Sequence, residues 1–242
     1  MLDRILMIFL GPVLLTQGKQ VRNNTPFLPE PPGDRTGASG QGPLLRLLVV
    51  GDSSAAGVGA DHQDQALLGQ TVSRLAANYR VEYRLVAATG STTRGAVRRL
   101  NSLPSENFDV VVTALGANDS TRLLTVDRFL ADQAQLMTVL KEKFGAGCII
   151  CSGLPPMHIF PAMPQPLRWV IGRRANKLNR ALAQWLATQD RCHFLNSDFA
   201  ADVELMAADG FHPGPAAYEI WGEAVAEHIG KLLADGAHLN AG

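Results

Sequence analysis

From Leu44 onward, short apolar runs alternate with stretches in which apolar residues recur every three or four positions. A run of four to eight apolar residues bounded by turn residues reads as a buried strand, and a period near 3.6 reads as an amphipathic helix. Leu44–Val50, Glu82–Ala87, Val110–Ala114, Cys148–Cys151 and His193–Leu195 are therefore expected to form strands. Helices are expected at Leu67–Tyr79, with Leu68, Val72, Leu75 and Ala76 on one face, and at Val126–Phe144 and Leu167–Thr188. A last helix starts after Gly214-Pro215, where proline suits the first turn, and runs to about Ala234. Strands alternating with helices predict an α/β domain with a mostly parallel, five-stranded sheet.

The first forty residues follow a different pattern. Ile5 to Leu15 (ILMIFLGPVLL) is almost wholly apolar but interrupted by Gly11-Pro12, and it falls short of the ~20 residues that span a bilayer. Lys19 and Arg22 stand just beyond it, where they can meet anionic headgroups. The segment reads as a shallow peripheral membrane contact through residues 5–15, which favours membrane association. An exported, signal-like leader and a hydrophobic tail packed on the domain are the alternatives. No A-x-A-like cleavage site follows the run. Pro26 to Pro43 (PFLPEPPGDRTGASGQGP) reads as a linker without packed structure. The expected organisation is a hydrophobic segment at 1–16, a Pro/Gly-rich linker at 17–43, a folded domain at 44–235 and a short tail at 236–242.

Composition narrows the partners. The 242 residues balance 22 basic against 22 acidic side chains, so no global field recruits nucleic acid. Small or neutral substrates fit better. Cys148, Cys151 and Cys192 are too few for a disulfide scaffold. On a strand, the separation of Cys148 from Cys151 points their side chains to opposite faces, against a zinc site or a redox pair. His62, His158, His193, His228 and His238 have no ligand spacing. Neither metal nor cofactor is expected.

The chemistry gathers at loops that follow strands, where open parallel sheets bind ligands. Ser53 follows the first expected strand, Gly90 the second, and Gly116-Ala117-Asn118-Asp119 the third. A serine hydroxyl becomes a competent nucleophile when a neutral imidazole takes its proton, and His212 is the candidate base. Asp209 stands three residues before it, close enough to hold the imidazole Nδ1-H in a tight loop. The negative charge formed on a carbonyl oxygen needs fixed donors; the Ser53 and Gly90 backbone N–H groups and the Asn118 side-chain amide are the candidates. Asp52 and Asp119 are read as shaping their turns. GDSSAAGVG lacks the lysine and the glycine spacing of a phosphate loop.

Gly51-Asp52-Ser53, the stretch Ala87-Ala88-Thr89-Gly90-Ser91-Thr92-Thr93, Leu115-Gly116-Ala117-Asn118-Asp119 and Asp209-Gly210-Phe211-His212-Pro213 resemble, in order, the four blocks of the SGNH hydrolases, also called GDSL esterases or lipases. That resemblance implies a flavodoxin-like three-layer α/β/α sandwich and ester hydrolysis through an acyl-serine, without metal. It implies Ser53 as nucleophile, His212 as base, Asp209 as its partner, and Ser53, Gly90 and Asn118 as the oxyanion hole. Ser54 departs from the leucine usual after the serine, a change that alters packing beside the nucleophile.

The expected function is a serine ester hydrolase of the carboxylesterase or lipase type, acting on a small-molecule or lipid ester. A carbohydrate O-acetyl esterase is the alternative within the same chemistry, and a catalytically silent, membrane-tethered binding module the alternative of another class. Gly153 to Pro166 (GLPPMHIFPAMPQP) is apolar where a loop is normally polar. Met157, Ile159, Phe160 and Met163 are accordingly expected to form part of the acyl pocket or a lip that meets lipid. Arg168, Arg173, Arg174, Lys177 and Arg180 are expected to form a solvated basic face on the helix that follows.

Overall fold

A computed structural model describes residues 2–197 and 202–235, and the side chains from residue 10 onward within that range. The tail expected at 236–242, and the side chains of residues 5–9 of the expected membrane segment, lie outside the described residues. The chain runs α1 (Leu2–Asn24), β1 (Thr36–Ser39), β2 (Leu44–Gly51), α2 (Leu67–Leu75), β3 (Arg80–Ala87), α3 (Thr93–Asn101), β4 (Val110–Ala114), α4 (Ala117–Thr121), α5 (Val126–Glu142), β5 (Cys148–Ser152), α6 (Leu167–Leu186), β6 (Cys192–Leu195) and α7 (Pro215–Ala234).

Six strands form one sheet in the order β1-β3-β2-β4-β5-β6. All pairs are parallel except β1 with β3. Period-two alternation sorts the side chains between the two faces. Leu48, Val50, Val111, Ile149 and Cys151 enter a core with Leu100 of α3, Leu136 of α5 and Leu178 of α6. Leu47, Val49, Val110, Val112, Cys148 and Ile150 enter the opposite core with Leu68 of α2 and Val225 of α7. Helices on both faces of a mostly parallel sheet give the expected three-layer sandwich, with six strands in place of five.

The extra strand corrects the reading of Pro26–Pro43 as an unpacked linker. Thr36–Ser39 pairs antiparallel with Arg84–Val81, and the Gln63 N–H donates to the Pro32 carbonyl at 2.9 Å. Proline and glycine shape this strap, but the open edge of β3 supplies the backbone partners that local composition cannot reveal. The first helix differs too. It runs through Gly11-Pro12 to Asn24, because Leu14 is buried and Val21 packs against the core on the α6 side of the sheet. Gln17 fastens it: its Nε2 donates to the Gln165 carbonyl at 2.6 Å and its Oε1 accepts the Leu167 N–H at 3.1 Å.

Cys148 and Cys151 lie in opposite cores, and burial pushes their thiols up to about 11 and about 12. The basic residues of α6 do not form one solvated face. Arg173, Lys177 and Arg180 are exposed, whereas half-buried Arg174 donates to the Leu124 carbonyl.

Candidate active site

The sheet order reverses at β2, which lies between β3 and β4 although it precedes both. Crevices at such reversals bind ligands beyond the strand carboxyl ends, and there the loops after β2, β3 and β4 converge. Gly51 closes β2 tightly: a Cβ at this position would collide with Ala55 and come within 2.7 Å of the Ala114 carbonyl. The chain then turns, leaving Ser53 8% exposed. The Ser53 N–H donates to no other group among the described residues.

His212 arrives from the far end of the chain. Its Nε2 is 2.8 Å from Ser53 Oγ, and its Nδ1 is 2.6 Å from Asp209 Oδ2. The other Asp209 oxygen, Oδ1, accepts the Phe211 and His212 N–H groups, each at 3.0 Å. One carboxylate thus folds the turn and orients the ring. Burial opposes charge on Asp209, but the hydrogen bonds from His212 and Phe211 outweigh it and hold the carboxyl below its ordinary value. An ionised Asp209 favours the tautomer with the proton on Nδ1, leaving Nε2 free to accept the serine proton.

Gly90 occupies the loop after β3 at φ +75°, a left-handed conformation that suits glycine. Its N–H also donates to no group among the described residues. Asn118 lies in α4, after β4, and its Nδ2 donates to Asp52 Oδ2 at 3.2 Å and to the Ser91 carbonyl at 3.1 Å. Asp52 does more than shape its own turn. Its Oδ1 accepts the Ser54 N–H at 3.1 Å and the Ser54 hydroxyl at 2.8 Å, so Ser54, in the place of the usual leucine, adds a donor to a buried carboxylate. Burial pushes the Asp52 carboxyl up, against these hydrogen bonds. Asp119 ties α4 to α3 through the Thr93 N–H and hydroxyl, at 3.0 and 3.1 Å.

A largely apolar cavity of about 70 Å³ opens beside Ser53 and His212. Leu154, Phe160, Leu205, Met206, Phe211 and Trp221 supply its apolar lining. Phe160 meets Phe211 edge-on, with ring centroids 5.3 Å apart. The expectation for Gly153–Pro166 needs correction: of its four side chains, Phe160 lines the cavity. Met157 and Met163 are buried in the core, and Ile159 packs partly buried against it. A short 3-10 turn at Met157–Ile159 folds these side chains inward, and the Ser120 hydroxyl donates to Met157 Sδ at 3.2 Å. Met157 and Met163 therefore form no exposed lip over the site. Leu205 and Met206 carry no periodic signal in the sequence, so the reading missed them.

The geometry agrees with what the comparisons find. Residues 49–220 match the model of the GDSL-like lipase/acylhydrolase family. A GDSL-like esterase, Rv1075c, of Mycobacterium tuberculosis is 27% identical over 86% of this chain and 73% of its own length. Esterase TesA of Pseudomonas aeruginosa is 29% identical over 71% of this chain and 81% of its own. Among solved structures, an aryl esterase of M. smegmatis superposes with a TM-score of 0.63 at 19% identity, over 78% of this chain and 99% of that one. At that identity the likeness speaks for the fold.

Proposed function

We infer the mechanism from the premise that the chain belongs to the GDSL-like lipase/acylhydrolase family and is a serine ester hydrolase acting on small-molecule esters. Ser53 Oγ attacks the ester carbonyl while His212 Nε2 takes its proton, and Asp209 stabilises the imidazolium that forms. The carbonyl oxygen becomes an oxyanion that receives the Ser53 and Gly90 N–H groups and one Asn118 Nδ2 hydrogen, shared with or drawn from its present acceptors. The imidazolium returns its proton to the departing alkoxide, leaving an acyl group on Ser53. Water, deprotonated by His212, then attacks the acyl carbon and releases the acid and the free serine.

The observation that carries this reading is the continuous chain from Ser53 through His212 to Asp209, at 2.8 and 2.6 Å. The acyl group enters the apolar cavity beside Ser53, and at about 70 Å³ that cavity suits a short chain. Met157 and Met163 are buried and so do not extend that apolar surface for a longer chain. The helix α1 adds contact with a membrane surface, supported by its exposed Val13 and Leu15.

The test is hydrolysis of p-nitrophenyl esters from acetate to palmitate, with Ser53→Ala alongside. The expected outcome is a maximum at short chains and a kcat at least ~10³-fold lower without the nucleophile. Hydrolysis that persists in Ser53→Ala would falsify the assignment, and a maximum at palmitate would remove the short-chain reading alone.

A further inference from the structure

The Gly90 N–H can stabilise an oxyanion only if the loop that carries it is held still, because preorganised donors spend nothing on reorientation during reaction. That loop is exposed at Thr89 and Gly90, and glycine in its left-handed conformation offers little stiffness of its own. On one side it is anchored from within the catalytic body, since Asn118 Nδ2 donates to the Ser91 carbonyl. The anchor on the other side comes from the strap between α1 and β2. Glu30 Oε1 accepts the Thr89 N–H at 2.8 Å and the Thr89 hydroxyl at 2.7 Å.

Glu30 is itself held. Its Oε2 lies 2.6 Å from an Arg35 guanidinium nitrogen, and the other Arg35 terminal nitrogen donates to the Ala87 carbonyl at 3.2 Å. The Arg35 carbonyl accepts the Leu85 N–H at 2.7 Å, which fixes the strap to the end of β3, the strand that leads into the loop. Burial opposes the Glu30 charge, yet the Thr89 hydrogen bonds and Arg35 outweigh it, so the carboxyl sits below its ordinary value. Glu30 and Arg35 both precede the span matched by the family model, which begins at residue 49.

We propose that Glu30, braced by Arg35, is a positioning residue for the oxyanion hole, clamping the Thr89–Gly90 turn so that the Gly90 N–H keeps the orientation acyl transfer needs. The inference rests on the role given to Gly90 in the proposed mechanism. It makes the strap part of the catalytic apparatus, although the strap contributes no atom to the reaction.

The experiment measures kcat, KM and Tm for p-nitrophenyl acetate in the full chain with Glu30→Ala, Glu30→Gln and Glu30→Asp. It also measures the rate at which a p-nitrophenyl phosphonate labels Ser53. Removing an oxyanion donor outright costs roughly 10²–10³-fold, so loosening one by Glu30→Ala should lower kcat about 10-fold, with KM changed less than about twofold. Labelling should slow in parallel. Glu30→Gln keeps an oxygen that can accept from Thr89, and should restore kcat to within about threefold of the parent. Glu30→Asp keeps the charge but is one methylene short of Thr89; it should also lose kcat, and it carries the test if Glu30→Ala does not accumulate as folded protein. Parental kcat in both Ala and Asp variants, or a loss confined to KM or Tm, overturns the proposal. If Ser53→Ala is inert while the Glu30 variants match the parent, the proposed mechanism stands and this inference alone fails.

Discussion

At the scale of single residues, the site is a set of polar groups each given more than one task. Asp209 turns the backbone with one oxygen and orients His212 with the other. Asn118 spans Asp52 and Ser91, tying the turn after β2 to the loop after β3. Replacing it by alanine removes one proposed donor and this tie together. Asn118→Ala should therefore lower kcat by about 10²–10³-fold with a smaller change in KM. Steady-state kinetics checks this, with circular dichroism to establish that the variant is folded. Ser53, Gly90, Asn118, Asp209 and His212 were legible in the sequence because each sits in a short string whose chemistry is local. Glu30 was not. It lies 59 positions from Thr89, in a proline-rich stretch whose composition suggests an idle linker. Phe160 was found, but Met157 and Met163 beside it were misread, since an apolar loop looks alike whether it faces a ligand or the core.

At the scale of elements, α7 joins the turn that carries Ser53 to the far edge of the sheet. Near its start, the Tyr218 hydroxyl donates to the Val58 carbonyl at 2.7 Å, and Trp221 lines the cavity. Further along, His228 meets His193 of β6 with ring centroids 5.7 Å apart. Burial lowers the pKa of both, and the positive charges of His193 and Lys231 lower that of His228 further. A histidine whose folded pKa is depressed binds fewer protons than its unfolded counterpart. Stability is then unaffected well above the unfolded value of roughly 6.5, falls as pH drops below it, and levels off below the folded values. Thermal melts from pH 8 to 5 should show Tm falling with acidity, and the fall should be shallower in a His193→Gln, His228→Gln double variant. An equal slope in both proteins counts against the pair. The strands β2, β4 and β5 were legible because both their faces are buried and their runs are continuous. β1 was not, because a four-residue exposed edge strand carries no apolar pattern.

At the scale of the whole molecule, one helix stands apart from the sandwich yet is fastened to it. No helix among the described residues is long and apolar enough to cross a membrane, and the contact proposed for α1 is with a surface. Leu15 is 78% exposed and Val13 45%, while Lys19 and Arg22 follow on the same helix. The full chain should float with vesicles containing anionic lipid, and a Val13→Glu, Leu15→Glu variant should float less, because both the apolar contact and the charge attraction are weakened. Flotation equal in both proteins sets the surface contact elsewhere. The sequence by itself determined the α/β class, the central strands, the family blocks and the residues that meet at the candidate site, because periodicity and short motifs are properties of neighbouring residues. Only the tertiary structure decided that the linker is a strap, that α1 docks through Gln17, and that Met157 and Met163 belong to the core. These outcomes depend on partners many residues away, on an open strand edge and on exposed carbonyls whose availability no local pattern encodes.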